Sequence, residues 1–175
     1  VMIRARFFSV LIILSICPIF VNAQIIDIEI DVEPELTIEV EQELNFGTLT
    51  TNSGITRIGL DDLSLGIFKI RTYRTQSLTI ELDYPDALSH SDPTIEDNIP
   101  LDLNIYYNNS GDDPFDSKLL ANNYGFINMT NFASTTGANT DYWKDVFVYV
   151  TGAINIGNIP NGSYSGEALL IVSYD

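Results

Sequence analysis

Apolar residues recur at every second position along much of this chain. Leu36, Ile38 and Val40 alternate with Thr37 and Glu39, and Leu44 and Phe46 follow before Gly47. Leu78, Ile80, Leu82 and Tyr84 alternate with Thr79, Glu81 and Asp83 until Pro85 ends the run. Leu101, Leu103, Ile105 and Tyr107 alternate with Asp102, Asn104 and Tyr106. Residues 65–72 form a further candidate strand, and Val146, Val148 and Val150 begin another that runs on past Gly152 to Ile156. In the last run, Ala168, Leu170, Val172 and Tyr174 share one face. Successive side chains of a strand point to opposite faces, so a period of two buries one face and wets the other, whereas the helical spacing of three and four is almost absent. Between the runs lie turn-forming clusters such as Asn108-Asn109-Ser110-Gly111-Asp112-Asp113-Pro114, and residues 115–142 are less regular. The pattern predicts an all-β fold, an immunoglobulin-like sandwich of two packed sheets, with a jelly roll as the alternative.

Arg4 and Arg6 precede a short apolar run over residues 7–16, and Val21-Asn22-Ala23 follows. That order predicts a secretory signal peptide over residues 1–23, cleaved after Ala23. The run is too short to span a bilayer and no later stretch is longer, so no transmembrane span is expected in the mature chain. Leu14-Ser15-Ile16-Cys17 is a poor lipid-attachment box, because Ile16 is bulky where a small residue is wanted. Cys17 is the chain's one cysteine, so the mature protein is expected to fold without a disulfide and to rely on packing and strand pairing.

Acidic residues number 24 against 8 basic ones, a net charge of −16 that argues against nucleic acid as a partner, since little is left to neutralise phosphates. His90 is the one histidine and stands between Ser89 and Ser91 in a loop-like stretch. With no cysteine or second histidine to converge on it, neither a catalytic set nor a metal site can be picked out, and no enzyme activity and no cofactor are expected. The acids Asp112, Asp113 and Asp116, and likewise Asp92, Glu96 and Asp97, lack the spacing of a calcium loop and read as solvated turns. Tyr124, Phe126, Phe132, Tyr142 and Trp143 in the irregular stretch could form a sugar-binding face, although buried aromatics are the commoner use.

The two ends of the predicted mature chain carry most of the functional information. Over residues 24–34, Ile26, Ile28, Ile30 and Val32 alternate with Asp27, Glu29, Asp31 and Glu33, and Pro34 separates the segment from the next strand. This is either an ordinary first strand or an arm whose aliphatic row suits another molecule's groove. The last alternation runs to Asp175, and a sandwich built from residues 35–175 is then either complete or short of one strand, in the second case with an open groove and an unpaired edge.

Glu43-Leu44-Asn45-Phe46-Gly47, Gly162-Ser163-Tyr164-Ser165-Gly166 and the terminal Val172-Ser173-Tyr174-Asp175 resemble subunits of chaperone–usher fimbriae, with spore-coat-U-like and related fimbria-associated domains of the archaic branch closest in pattern. In that family a glycine precedes the final strand and a tyrosine is penultimate, places that Gly162 and Tyr174 occupy here. The resemblance implies donor-strand exchange. Ile26, Ile28, Ile30 and Val32 of one subunit would complete the groove of another, beside a terminal region carrying Gly162, Tyr164, Ala168, Leu170, Val172 and Tyr174. It further implies copies of the same chain as partners, a periplasmic chaperone and an outer-membrane usher, and a place at the bacterial surface in a fibre supporting adhesion or biofilm. Many relatives carry a disulfide that the mature chain here would not. The rival expectation is a monomeric secreted sandwich that binds a glycan or a protein, with residues 26–32 paired in its own sheet.

Overall fold

A computed structural model of the chain describes residues 35–129 and 142–175. The predicted signal peptide with Cys17, the arm residues Ile26, Ile28, Ile30 and Val32, Pro34, and Phe132 of the aromatic set lie outside the described residues.

Eleven strands are described: β1 (Thr37–Gln42), β2 (Gly54–Ile58), β3 (Gly66–Tyr73), β4 (Leu78–Asp83), β5 (Ala87–His90), β6 (Asn98–Asn108), β7 (Lys118–Leu119), β8 (Tyr124–Ile127), β9 (Trp143–Ile156), β10 (Tyr164–Ser165) and β11 (Leu169–Tyr174). They form two antiparallel sheets, each strand turning alternate residues to its two faces. The larger runs β1-β3-β9-β6-β5-β10, with β2 also on β9 and β7 on β6; the smaller runs β11-β4-β8.

β9 is the spine of the larger sheet. Along one edge it pairs first with β3, from Trp143 to Val150, and then with β2, from Gly152 to Ile156; β6 lies along the other edge. Side chains directly opposite one another in a ladder point to the same face, so the registers Ile70↔Val146, Phe68↔Val148 and Ile105↔Val150 define an inward row. From the smaller sheet Leu78, Ile80 and Leu82 of β4, Ile127 of β8 and Leu170 of β11 meet that row, and together they form the main core. Six alternating apolar positions of β6 and β4 read from the sequence (Leu101, Leu103, Ile105; Leu78, Ile80, Leu82) do pack into it or against it.

Two connections switch sheets side by side. β4 passes through residues 84–86 into β5, and β10 passes through residues 166–168 into β11, while β10 pairs with β5 and β11 with β4. The crossings nest at Gly166, where an added Cβ would stand 3.0 Å from Leu88 Cδ2 and 3.1 Å from Pro85 Cγ.

His90 is not in a solvated loop: it is the half-buried last residue of β5, its ring T-shaped to that of Tyr164 with centroids 4.9 Å apart. The aromatic set is not one platform either. Tyr124 and Phe126 stand outward on β8 of the smaller sheet, whereas Trp143 is the first residue of β9 in the larger one and Tyr142 immediately precedes it.

Candidate functional site

β1 pairs with β3 in the register Ile38↔Ile70 and Val40↔Phe68, so Ile38 and Val40 face inward with Ile70, a fully buried residue. Yet Ile38 is 39% exposed and Val40 60%. The cause is across the interlayer. β11 is the last strand of the smaller sheet, and among the described residues nothing pairs with its second edge or covers the inward side of β1.

The wall opposite β1 is β11 itself. Leu170, Val172 and Tyr174 pair with Leu82, Ile80 and Leu78, all three buried, and therefore also face inward; Leu170 is buried and the other two are half-buried. Leu169, Ile171 and Ser173 point out to solvent. Since alternate residues of an edge strand turn their N–H and C=O away from their one partner, β11 offers a row of unpaired backbone groups along the opening.

The floor is made where the chain leaves β1. The ladder slips between Val40 and Gln42, and Gln42 Nε2 donates to the carbonyls of Leu63 and Leu65 at 2.8 and 2.6 Å, which turns the following residues off the sheet edge. Leu44 and Phe46 then cross the sheet at two glycines. A Cβ on Gly66 would meet Leu44 Cβ at 3.3 Å, and one on Gly152 would meet Phe46 Cζ at 3.3 Å and Leu103 Cδ2 at 2.6 Å, so glycine is what allows so close a crossing. Asn45 Oδ1 accepts from the Gly47 N–H at 2.8 Å, and Gly47 at φ +72° ends the crossing in a turn. Val40, Leu44, Phe46, Phe68, Leu101 and Ala168 are among the residues lining an open cavity of about 620 Å³ at this place.

Both ends are closed by tyrosines. Tyr174 Oη donates to the Glu35 carbonyl at 3.3 Å and accepts from the Tyr73 N–H at 3.2 Å, tying β11 to the larger sheet. At the far end Tyr164 lines the cavity, donates through Oη to the Pro160 carbonyl at 3.0 Å, and packs T-shaped against His90. His90 Nδ1 accepts from the Asp92 N–H at 2.9 Å.

Of the terminal residues singled out in the sequence, Tyr164 and Ala168 line this cavity, Ala168 exposed in the crossing before β11, while Leu170, Val172 and Tyr174 form the inward row of β11 itself. Gly162 stands apart from that opening. It makes room for His90, whose Nε2 would be 1.8 Å from a Cβ there. The contribution of Ile38, Val40, Phe68 and Leu101 was missed, because nothing in an alternating pattern says that one inward face goes uncovered. The motif around Leu44 and Phe46 was the available signal.

Elsewhere the acids do local structural work. Asp113 Oδ1 caps a short turn by accepting from Phe115 N–H at 2.9 Å. Asp92 accepts from the N–H and hydroxyl of Thr94, which lower its pKa. Among the described residues no group of three or more His, Cys, Asp or Glu is placed to hold a metal ion, and no helix is long and apolar enough to cross a membrane.

The chain matches no family model and no curated protein. Among solved structures it is similar to the CooA pilin subunit from enterotoxigenic Escherichia coli, with 13% identity and a TM-score of 0.40 over 79% of this chain and 87% of that one. A likeness of that depth carries no argument about function.

Proposed function

We propose that this chain is a non-catalytic structural subunit that polymerises by strand donation, the aliphatic row Ile26, Ile28, Ile30 and Val32 of one copy filling the opening between β1 and β11 of another. The observation that carries the reading is the exposed inward face of β1, with Val40 60% exposed opposite an edge strand whose own inward row is apolar. A strand laid there would pair with β11, cover Ile38 and Val40, and keep its acidic edge in water. Buried apolar side chains and new ladder hydrogen bonds would both favour it.

The reading entails export through the periplasm, handling by a chaperone and usher that shield the open edge, and display in a surface fibre that supports adhesion or biofilm. Fibres of this kind dissociate slowly, because the inserted strand leaves only when the acceptor opens. Native material run unheated on a denaturing gel is therefore expected to give a ladder that collapses to one band on boiling. A monomer in both lanes would sink the proposal in favour of a single-copy secreted sandwich.

A further inference from the structure

On the other face of the larger sheet, outside the groove, β1, β3 and β9 carry a second concavity. It is an open cleft of about 700 Å³, walled by Lys69 and Arg71 of β3 and by Trp143 and Phe147 of β9, with residues 110–112 at one side. Those three residues are held in place. Asn108 Oδ1 accepts from Ser110 N–H at 2.9 Å, Ser110 Oγ at 2.8 Å and Gly111 N–H at 3.2 Å, and Tyr149 Oη donates to the Asp112 carbonyl at 2.6 Å.

Acids outnumber bases by 24 to 8 in this chain, so an arginine ordinarily finds a carboxylate. Arg71 has none. Its guanidinium lies 5.6 Å from the ring centre of Trp143, and among the described residues it makes no ion pair. Asp145, directly across the ladder, is engaged by Lys69 at 3.2 Å, and Lys69 also reaches Glu41 at 3.9 Å. An aromatic face attracts and orients the cation but supplies no oxygen to its fork of N–H groups.

The remaining chemistry of the cleft narrows what could supply that oxygen. Glu39, Asp112 and Asp145 line the same cleft as Lys69, Arg71 and Lys144, so acids match bases there and a polyanion such as nucleic acid would meet three like charges. A ligand with one negative charge and several hydroxyls would not, because its hydroxyls can donate to those carboxylates. We infer that this cleft binds an acidic sugar residue, a uronate or a sialic acid, whose single carboxylate is taken by Arg71 held over Trp143 and whose hydroxyls donate to the acids around it. The inference stands apart from the polymerisation reading, since Arg71 and Val40 project from opposite faces of one sheet.

The test is saturation-transfer NMR on the native protein, free or in fibres, with N-acetylneuraminic acid and glucuronic acid as probes and their methyl esters as uncharged controls. Both acids are expected to bind, and the esters at least roughly tenfold more weakly, as for loss of a charge-assisted hydrogen bond. Arg71→Gln is expected to weaken the acids by about the same factor, while Arg57→Gln, the same charge loss at an exposed site on β2, leaves them unchanged. Arg71→Lys keeps the charge without the fork and is expected to weaken binding by roughly threefold or more, which retains the test should the glutamine variant misfold. Failure of both acids to bind, equal binding of acid and ester, or equal effects at Arg57 and Arg71 would each overturn the assignment.

Discussion

Tyr174 holds three parts of the molecule with one side chain. Its ring packs inward from β11, while its hydroxyl donates to the Glu35 carbonyl and accepts from the Tyr73 N–H. Tyr174→Phe keeps the ring and is expected to cost about 1 kcal/mol in a denaturant titration, the usual worth of such bonds. Tyr174→Ser removes the ring as well and is expected to cost roughly 3 kcal/mol. Ser173→Ala, on the outward face, should change stability by less than about 0.5 kcal/mol. Equal tolerance at 173 and 174 would contradict the facing of β11. Tyr149 makes a prediction in pH: burial, and then the charges of Asp112, Asp113 and Glu41, push its pKa up to about 12 from 10.0. The folded state therefore keeps a proton that the unfolded state loses. The stability this provides is complete below pH 10 and is lost as the pH rises towards about 12. Tyr149→Phe should lower stability at neutral pH, by removing the bond to Asp112, and flatten the alkaline part of the profile; an unchanged alkaline slope would contradict the assignment.

Among the elements, β1 differs from the rest in having inward residues, Ile38 and Val40, that the described residues leave exposed, and β11 is an edge strand of the smaller sheet. Val40→Asp places a charge on the opening of β1 and is expected to leave the subunit folded, within about 1 kcal/mol, while stopping assembly. Val146→Asp, in the middle of β9 and fully buried, is expected to prevent folding altogether. Circular dichroism and size measurement distinguish the two outcomes, and comparable unfolding by both would mean that β1 is covered. The long strands were legible in the sequence because their apolar rows face inward. β2, β5, β8 and β10 were not, for physical reasons that differ. In β2, Ile55 is exposed while Thr56 faces inward opposite Ile154, and in β8, Tyr124 and Phe126 point outward while Gly125 faces inward opposite Ile80. Leu120 fills the space above Gly125, as a Cβ there would come within 2.4 Å of it. β5 and β10 are four and two residues long, too short to show any period. The opening itself could be foreseen only in part: the terminal row was legible, but that β1 stands opposite it depends on the order of strands.

At the scale of the whole molecule, the account rests on complementarity between copies: an aliphatic row on residues 26–32 and a groove between β1 and β11. Each half can be disabled alone. Ile28→Asp forces a charge into the acceptor's core and disables donation but leaves the groove, whereas Glu29→Gln alters only the wet edge and should assemble like the parent chain. Val40→Asp disables acceptance but leaves the arm. The most direct measurement is the mass in solution of the Ile28→Asp protein, the Val40→Asp protein and their equimolar mixture, beside the unmodified chain. The account predicts that the unmodified chain polymerises, that each variant alone is a monomer, and that the mixture stops at a dimer, because one working arm meets one working groove. An unmodified chain that stays monomeric, an Ile28→Asp protein that still polymerises, or a mixture that remains monomeric beside a polymerising parent would contradict it.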